Sequence, residues 1–384
     1  MIVKSLEIVN YKNIGEATIE CSPRFNCFIG NNGMGKTNVL DAIYHLSMCK
    51  GYFNLPDAQN IRHGEPFFLL QGRYEREGEE ISVSCGMRRG ERKVFKKNKK
   101  SYERLSDHVG LLPLVMISPS DAALIDGGSE ERRRFVDGVI SQCDKEYLQR
   151  LIRYNRALAQ RNSLLKERAG RPLEREAIEP WDEQLADNGR VILRKREEFA
   201  REFEEEFQHF HDRLASGRER VALRYAATAP ADDLLAALRA SLPRDRLLTY
   251  TTAGAHRDDV ALTLEGYPVK KLGSQGQKKS FLTALKFAQF AYLTRRTGMK
   301  PLLLLDDVFD KLDAGRVSQI VRIVSGDRFG QVFITDTNRQ HVDEILRVEA
   351  VEHRVFSVGD RQPGAVLFLS SENDIFAREK MQPT

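Results

Sequence analysis

The sequence predicts an α/β fold with a mixed sheet, interrupted by an inserted α-helical lobe built as a short antiparallel coiled coil. Three observations predict it. An apolar run, Phe25–Ile29, leads into the glycine-rich stretch Gly30-Asn31-Asn32-Gly33-Met34-Gly35-Lys36-Thr37, after which Val39, Leu40, Ile43, Leu46 and Ser47 repeat at helical spacing. A second apolar run, Pro301-Leu302-Leu303-Leu304-Leu305, ends in Asp306-Asp307 and reads as a buried parallel strand. Between them, residues 121–245 are helical in pattern and rich in both charges. Residues 1–120 and 246–384 are therefore assigned to one discontinuous domain, and 121–245 to the inserted lobe.

Composition allows a packed interior, with 41% apolar residues in a chain of 384. A net charge of +5 permits a polyanionic partner without requiring one. The cysteines, Cys21, Cys27, Cys49, Cys85 and Cys143, form no C-x-x-C pair, which argues against a disulfide framework or a zinc site and fits a reducing compartment. Met1-Ile2-Val3-Lys4-Ser5-Leu6 alternates like a strand rather than a secretory segment. No apolar run approaches the roughly 18 residues of a membrane span, so a soluble, cytoplasmic chain is the expectation.

Residues 1–29 read as strands, with Val3, Leu6 and Ile8 in the first, Ala17-Thr18-Ile19-Glu20-Cys21 in the second and Phe25–Ile29 as the third. Tyr11-Lys12-Asn13 lies in the first turn, either exposed or as a surface that meets nucleotide or DNA. After the loop helix come Gly51-Tyr52-Phe53 and Gln59-Asn60-Ile61-Arg62-His63-Gly64, then segments at 67–74 and 80–85 that read as an antiparallel pair. From 88 to 104 the chain turns basic: Arg88, Arg89, Arg92, Lys93, Lys96, Lys97, Lys99, Lys100 and Arg104 against Glu91 and Glu103, with Val94-Phe95 and Tyr102 interleaved. On a hairpin this is a solvated tip or a phosphate-binding patch. Leu111-Leu112-Pro113-Leu114-Val115-Met116-Ile117 is a further apolar run, closing at Ser118-Pro119.

In the lobe, Leu148, Leu151, Asn155, Leu158, Asn162 and Leu165 follow the spacing of a coiled-coil seam, which puts both asparagines at buried positions. Residues 168–180, with Gly170, Pro172 and Pro180, break it. A second helix carries Leu185, Ile192, Phe199, Phe203, Phe207, Phe210 and Leu214 on one face, expected to pack on the first. Arg132-Arg133-Arg134, just ahead of the arm, is either a solvated face or an inward cluster. The sheet pattern resumes around Gly254-Ala255-His256-Arg257-Asp258-Asp259, with a strand at 260–264 and a turn at Gly266-Tyr267-Pro268. Leu272-Gly273-Ser274-Gln275-Gly276-Gln277 opens a helix that runs through Leu293. After the acidic pair come Asp310-Lys311-Leu312-Asp313, a helix, a strand at 331–335, and apolar segments at 355–358 and 365–369.

The chemistry starts at Gly30–Thr37, which fits G-x-x-x-x-G-K-[ST] at every fixed position in the strand–loop–helix context that motif requires. Glycines let the loop turn its N–H groups inward, and the helix start adds partial positive charge, so the loop cradles phosphates. Lys36 would reach the β- and γ-phosphates of ATP, and the Thr37 hydroxyl would ligate Mg²⁺. Gly30, Asn31, Asn32, Gly33, Met34, Gly35 and Asn38 complete the contact. Asp306 would hold the ion, and Asp307 would orient or deprotonate the attacking water. Taken alone, an acidic pair after a strand is an N-cap for the next helix.

Ser274-Gln275-Gly276-Gln277 discriminates among nucleotide-binding folds. Read bare, it is a helix cap. Placed shortly before the acidic strand, it looks like the signature of ABC-type ATPases, where serine and glycine at a helix start grip the γ-phosphate bound to a second subunit; Ser274, Gly276 and Gln277 would do so here. Asp310-Lys311-Leu312-Asp313 matches the loop that crosses that dimer interface. Together with Tyr11-Lys12-Asn13, Ile61-Arg62-His63-Gly64, Ser118-Pro119, Glu131-Arg132-Arg133-Arg134-Phe135-Val136-Asp137 and Gly254-Ala255-His256-Arg257-Asp258-Asp259, these motifs resemble the RecF family of bacterial DNA replication and repair ATPases, from Met1 to about residue 369.

The resemblance implies an ABC-type P-loop ATPase head with a short helical lobe, not the long coiled coil of chromosome-condensing relatives. It implies a weak, Mg²⁺-dependent, DNA-stimulated ATPase. ATP would drive homodimerisation on double-stranded DNA or single-strand/double-strand junctions, and slow hydrolysis would release the DNA. With the mediator RecR, the protein would help load recombinase on gapped DNA. The resemblance also brings Arg62 near the phosphates, and His256 and Arg257 near the nucleotide or dimer interface. Two positions depart from the wider ABC pattern: Thr335-Asp336 stands where many members have a histidine, and Asp307 where many have glutamate. The competing readings are a transporter nucleotide-binding subunit, against which stand the arm, the basic hairpin and the lack of a glutamine loop; a head of a chromosome-structure protein; and an ATP-sensing dimeric scaffold without nucleic acid.

Overall fold

Val3 and Leu6 lie three residues apart, yet both reach the core of β1 (Ile2–Tyr11), because its pairing slips register between Val3 and Ser5. The computed structural model describes residues 1–215, 219–309, 314–339, 352–359 and 370–372. After β1 come β2 (Ile14–Glu20), β3 (Phe25–Ile29), α1 (Lys36–Met48), β4 (Phe67–Arg76), β5 (Glu79–Arg88), β6 (Val94–Lys97), β7 (Lys100–Ser101) and β8 (Leu114–Ile117). Next are α2 (Ala122–Asp126), α3 (Ser129–Cys143), α4 (Lys145–Glu167), α5 (Arg175–Ala215), β9 (Val221–Ala226), α6 (Leu234–Leu248), β10 (Asp259–Leu264), β11 (Tyr267–Pro268), α7 (Val269–Leu272) and α8 (Gln275–Thr297). The chain closes with β12 (Leu302–Asp306), α9 (Ala314–Ser325), β13 (Val332–Asp336), β14 (His353–Ser357) and β15 (Ser370–Glu372).

Two compact units result, one of residues 1–119 and 293–384, the other of 120–292. The first holds an antiparallel sheet, ordered β2-β1-β4-β5-β6-β7, and a second sheet, ordered β15-β14-β3-β13-β12-β8. The second sheet is parallel from β14 to β8, and β15 joins its edge antiparallel. Strand β12, between β13 and the edge strand β8, is four leucines ending in Asp306 and is buried along its length, as a strand covered on both faces must be. The register pairs Asp306 with Thr335 and Asp336 with Ile29, so the carboxyl ends of three strands meet where the glycine loop leaves β3. The segments read at 67–74 and 80–85 do pair antiparallel, as β4 and β5.

The unit of 120–292 is built on the arm. Arg150 reaches Asp187, Tyr147 reaches Arg196 and Arg161 reaches Asp182, so α4 and α5 run antiparallel. The seam differs from the heptad spacing. Tyr147, Tyr154, Ala157, Arg161 and Leu165 are the buried positions, while Asn155 is exposed and Leu148, Leu151 and Leu158 are half-buried. Aromatic bulk takes the interface at Tyr147 and Tyr154, and the seam rotates by about one residue. The break between the helices is shorter than 168–180: α5 starts at Arg175 and takes Pro180 into its early turns.

The phenylalanine stripe is buried but does not pack on α4. Phe199 and Phe203 meet Tyr292, Phe207 meets Phe281 and Phe210 meets Phe287, all on α8. The helix lengths explain this, since α4 has 23 residues and α5 has 41, so the far half of α5 outruns its hairpin partner. The segment 121–245 is not all helical either, because β9 falls within it. The boundary at 246 also differs: 246–292 packs with 120–245, since β10 pairs with β9 and Asp258 accepts from Thr228 and Tyr225. Residues 310–313 and 365–369 lie outside the described residues.

Candidate nucleotide site

The loop is shaped by two glycines. Gly35 has φ 100°, and a Cβ there would lie 2.6 Å from Asn13 Oδ1; a Cβ on Gly30 would lie 2.1 Å from the Val358 carbonyl oxygen. Neither contact tolerates a side chain. Asn13 Nδ2 donates to Gly33 O at 3.1 Å and its Oδ1 accepts from Asn38 Nδ2 at 2.7 Å. The turn carrying Tyr11-Lys12-Asn13 is thus a buttress of the loop. Behind it, the buried Asp41 of α1 accepts from Tyr11 Oη (2.7 Å) and Tyr52 N (2.5 Å) and pairs with Lys12 Nζ (2.7 Å). Arg62 is half-buried, and its N–H donates to Asn10 O at 2.9 Å, next to the same turn. Asn31, Asn32, Gly33 and Met34 form the outer part of the loop.

Lys36 is 4% exposed and donates to the carbonyls of Gly30 (2.8 Å) and Asn31 (3.1 Å). A lysine held this way keeps its ammonium beside the loop and the start of α1, where an anion is attracted. Thr37 Oγ1 donates to Asp306 Oδ1 at 2.8 Å, Thr335 Oγ1 donates to the same oxygen at 2.8 Å, and Ser118 Oγ lies 3.5 Å from Asp306 Oδ2. Burial holds the Asp306 carboxyl above its ordinary range, and these hydroxyls oppose that shift. A buried carboxylate with hydroxyl neighbours and no thiol or imidazole among these contacts suits a hard divalent cation. Asp307 is half-buried at φ 46°, with its N–H donating to Thr335 Oγ1 at 3.0 Å. The structure therefore brings Gly30, Lys36, Thr37, Asp306 and Asp307 together. Asn13 of Tyr11-Lys12-Asn13, Ser118 of Ser118-Pro119 and Thr335 of Thr335-Asp336 join them through hydrogen bonds that the sequence did not specify.

Ser274, Gly276 and Gln277 belong to the other unit, at the start of α8. Ser274 Oγ accepts from Gln277 N at 3.2 Å and Gln277 Oε1 accepts from Ser274 N at 2.8 Å, a reciprocal capping box. Helix geometry leaves the N–H groups of Gln275 and Gly276 without intrahelical partners, and Ser274 and Gln275 are exposed. The cap and the anion site are compatible readings of the same residues. His256 lies in this unit too: its Nε2–H donates to Thr251 O (3.1 Å), its Nδ1 accepts from Tyr154 Oη (2.8 Å), and burial lowers its pKa to about 4. Arg257 donates to Thr251 O and stacks over Tyr250, 4.8 Å from the ring centre. Arg132 pairs with Asp259 through both carboxylate oxygens and Arg133 donates to Asp258 O, so these two face inward, while Arg134 pairs with Glu130 and Glu131 at the surface.

The basic run folds as a hairpin. Lys97 opposes Lys100 across Asn98-Lys99, both at positive φ, a tight two-residue turn. Phe95 is buried, and Arg88, Arg89, Arg92, Lys96, Lys99, Lys100 and Arg104 are exposed. Lys93 is different, donating to Cys49 O (2.6 Å) and pairing with Asp57 (2.9 Å).

Residues 2–357 match the family described as RecF/RecN/SMC N terminal domain. The DNA replication and repair protein RecF of Phocaeicola vulgatus is 54% identical over 362 residues, covering 94% of this chain and 97% of the relative. A solved structure described as the recombination mediator protein RecF-ATP in the RecFOR pathway superposes with a TM-score of 0.86 at 27% identity, covering 97% of each chain. The Smc head domain of Pyrococcus furiosus, bound to the C-terminal domain of ScpA, superposes with a TM-score of 0.57 at 15% identity over 97% of this chain and 96% of its own, a likeness of fold.

Proposed function

This chain belongs to the RecF family of DNA replication and repair proteins, and on that premise we propose that it is an ATP-gated DNA clamp. ATP held by the phosphate loop of one copy is gripped by Ser274, Gly276 and Gln277 of a second. The dimer closes on gapped or junction DNA, and slow hydrolysis opens it. The observation that carries this reading is the bond from Thr37 to Asp306, which ties the phosphate loop to the acidic strand end.

Thr37 and Asp306 would hold Mg²⁺, which when bound neutralises charge developing on the γ-phosphate. Lys36 exchanges the carbonyls of Gly30 and Asn31 for the β- and γ-phosphate oxygens. Thr335 keeps Asp306 aimed, and its bond to the backbone of Asp307 orients that residue toward the attacking water. Arg62 adds positive charge beside the loop. Aspartate at 307 is one methylene shorter than glutamate and holds the water less closely, which suits slow turnover by a weak, DNA-stimulated ATPase.

The exposed basic hairpin is the proposed contact for DNA phosphates, doubled in a dimer. RecR is the proposed protein partner, supported by the pathway named for the solved relative, and the cytoplasm is the proposed compartment. Among the described residues no helix is long and apolar enough to cross a membrane. Binding of a fluorescent ATP analogue, with Mg²⁺ and with chelator, tests the site. Lys36→Met is expected to weaken binding under both conditions and Asp306→Asn to remove the Mg²⁺ dependence. Unchanged binding by both variants would contradict the proposal.

A further inference from the structure

Among the described residues, acidic side chains of other elements reach the first turn of α8: Asp126 of α2 accepts from Lys278 Nζ at 2.9 Å, and Glu219 accepts from Gln277. Gln277 Nε2 donates to Glu219 Oε1 at 2.5 Å. The other carboxylate oxygen, Oε2, faces His211 Nε2 at 3.7 Å, near the end of α5. His211 is fully buried, its ring nitrogens have no hydrogen-bond partner among the described residues, and burial lowers its pKa. Glu219 is itself fixed through its backbone: its carbonyl accepts from Gln208 Nε2 at 3.0 Å, and Gln208 Oε1 accepts from Val221 N at 2.9 Å. Phe207 packs edge-on against Phe281, one turn along α8 from Gln277, with ring centres 4.9 Å apart. The end of the long arm helix and the start of α8 are therefore joined by one hydrogen-bonded side chain laid over an aromatic contact.

Gln277 uses both ends of its side-chain amide. Its carbonyl oxygen caps Ser274 N, and its NH₂ group needs an acceptor if the side chain is to stay in that orientation. Glu219 supplies the acceptor. We propose that Glu219 is a positioning residue for the nucleotide-gripping start of α8, coupling it to the arm through Gln208. The proposal rests on the split-site reading above. Without Glu219 the Gln277 amide turns freely, the Ser274 cap loosens, and the Gln275 and Gly276 N–H groups lose the fixed direction that gripping a phosphate requires.

The test compares wild type, Glu219→Ala and Glu219→Gln in the full-length protein. ATP-driven dimerisation is followed by light scattering, ATP binding by fluorescent analogue at concentrations too low to dimerise, and stability by thermal unfolding. A hydrogen bond to a charged acceptor corresponds to roughly tenfold or more. Glu219→Ala is expected to weaken ATP-driven dimerisation about tenfold, with monomer ATP binding and the unfolding midpoint unchanged. Glu219→Gln keeps a carbonyl acceptor and is expected to recover most of the loss. Dimerisation by Glu219→Ala equal to wild type overturns the proposal, as does an equal loss in both variants together with a lowered unfolding midpoint. If wild type itself fails to dimerise with ATP, the split-site reading fails first and the role of Glu219 falls with it.

Discussion

Asp306 is held by one neighbour from the phosphate-loop motif and one from outside it. Its carboxylate accepts from Thr37 and Thr335, one on the helix after the loop and one on the adjacent parallel strand. Replacing Thr335 with valine keeps the volume and removes both its bond to Asp306 and its acceptance from Asp307 N. The expected result is a several-fold loss of Mg²⁺-dependent ATP affinity and a larger loss in turnover, read by titration and steady-state hydrolysis. Asp307→Asn is expected to cut turnover by about a hundredfold or more while sparing ATP binding. The Asp306 carboxyl is raised by burial, so its proton is released at higher pH than from an ordinary aspartate. Mg²⁺-dependent affinity should accordingly fall, as pH is lowered, at a pH above the usual carboxylate range. An affinity flat across that range would contradict its place at the ion. Lys36 and Thr37 were legible in the sequence because the spacing of a phosphate loop is a local property, and the acidic pair because it closes the apolar run Pro301–Leu305. Asn13, Ser118 and Thr335 stood out only as parts of Tyr11-Lys12-Asn13, Ser118-Pro119 and Thr335-Asp336; their bonds to the loop and to Asp306 were not legible, because cross-strand register and loop contact set them.

At the scale of elements, the arm is tied at its far end by a buried ion cluster. Arg161, fully buried, donates to Asp182 (2.6 Å) and Asp245 (2.6 Å) and to Thr251 Oγ1 (3.0 Å), joining α4, α5 and α6 to the segment leading to His256. Arg161→Leu leaves two carboxylates buried without their cation and is expected to destabilise the fold by about 3–5 kcal/mol in urea unfolding. An exposed-pair effect of about 0.5 kcal/mol would show that water reaches the cluster. Periodicity found the two helices, their antiparallel link and the buried face of α5, where Leu185, Ile192, Phe199, Phe203, Phe207, Phe210 and Leu214 are all buried, but it misassigned the seam of α4. Heptad spacing selected Leu148, Leu151 and Leu158, whereas the buried seam runs through Tyr147, Tyr154 and Arg161, whose burial depends on partners elsewhere in the chain. The phenylalanine stripe was visible as a stripe; that it packs on α8 follows from tertiary contacts.

For the whole molecule, histidines withdrawn from water lower stability in acid: burial lowers the pKa of His45, His108, His211 and His256. Burial holds His45 and His256 at about 4, below the ordinary value near 6.5. Between those values the unfolded chain binds protons that the folded chain does not, so their contribution to stability is lost as pH falls from about 6.5 toward 4. Unfolding midpoints should drop through that window, and His45→Gln should flatten the drop. DNA binding through the exposed hairpin should weaken steeply with salt, and Lys96→Ala with Lys100→Ala should reduce the slope of log affinity against log salt by about 2.

In the proposed clamp, ATP joins dimerisation to DNA binding through a site split between two copies. This coupling is tested most directly by measuring DNA binding and oligomeric state together, with ATP, with ADP and without nucleotide, for wild type, Lys36→Met and Ser274→Arg. The clamp predicts that ATP alone produces both the dimer and the DNA complex, and that each variant loses both. DNA binding of equal strength by a nucleotide-free monomer would contradict it.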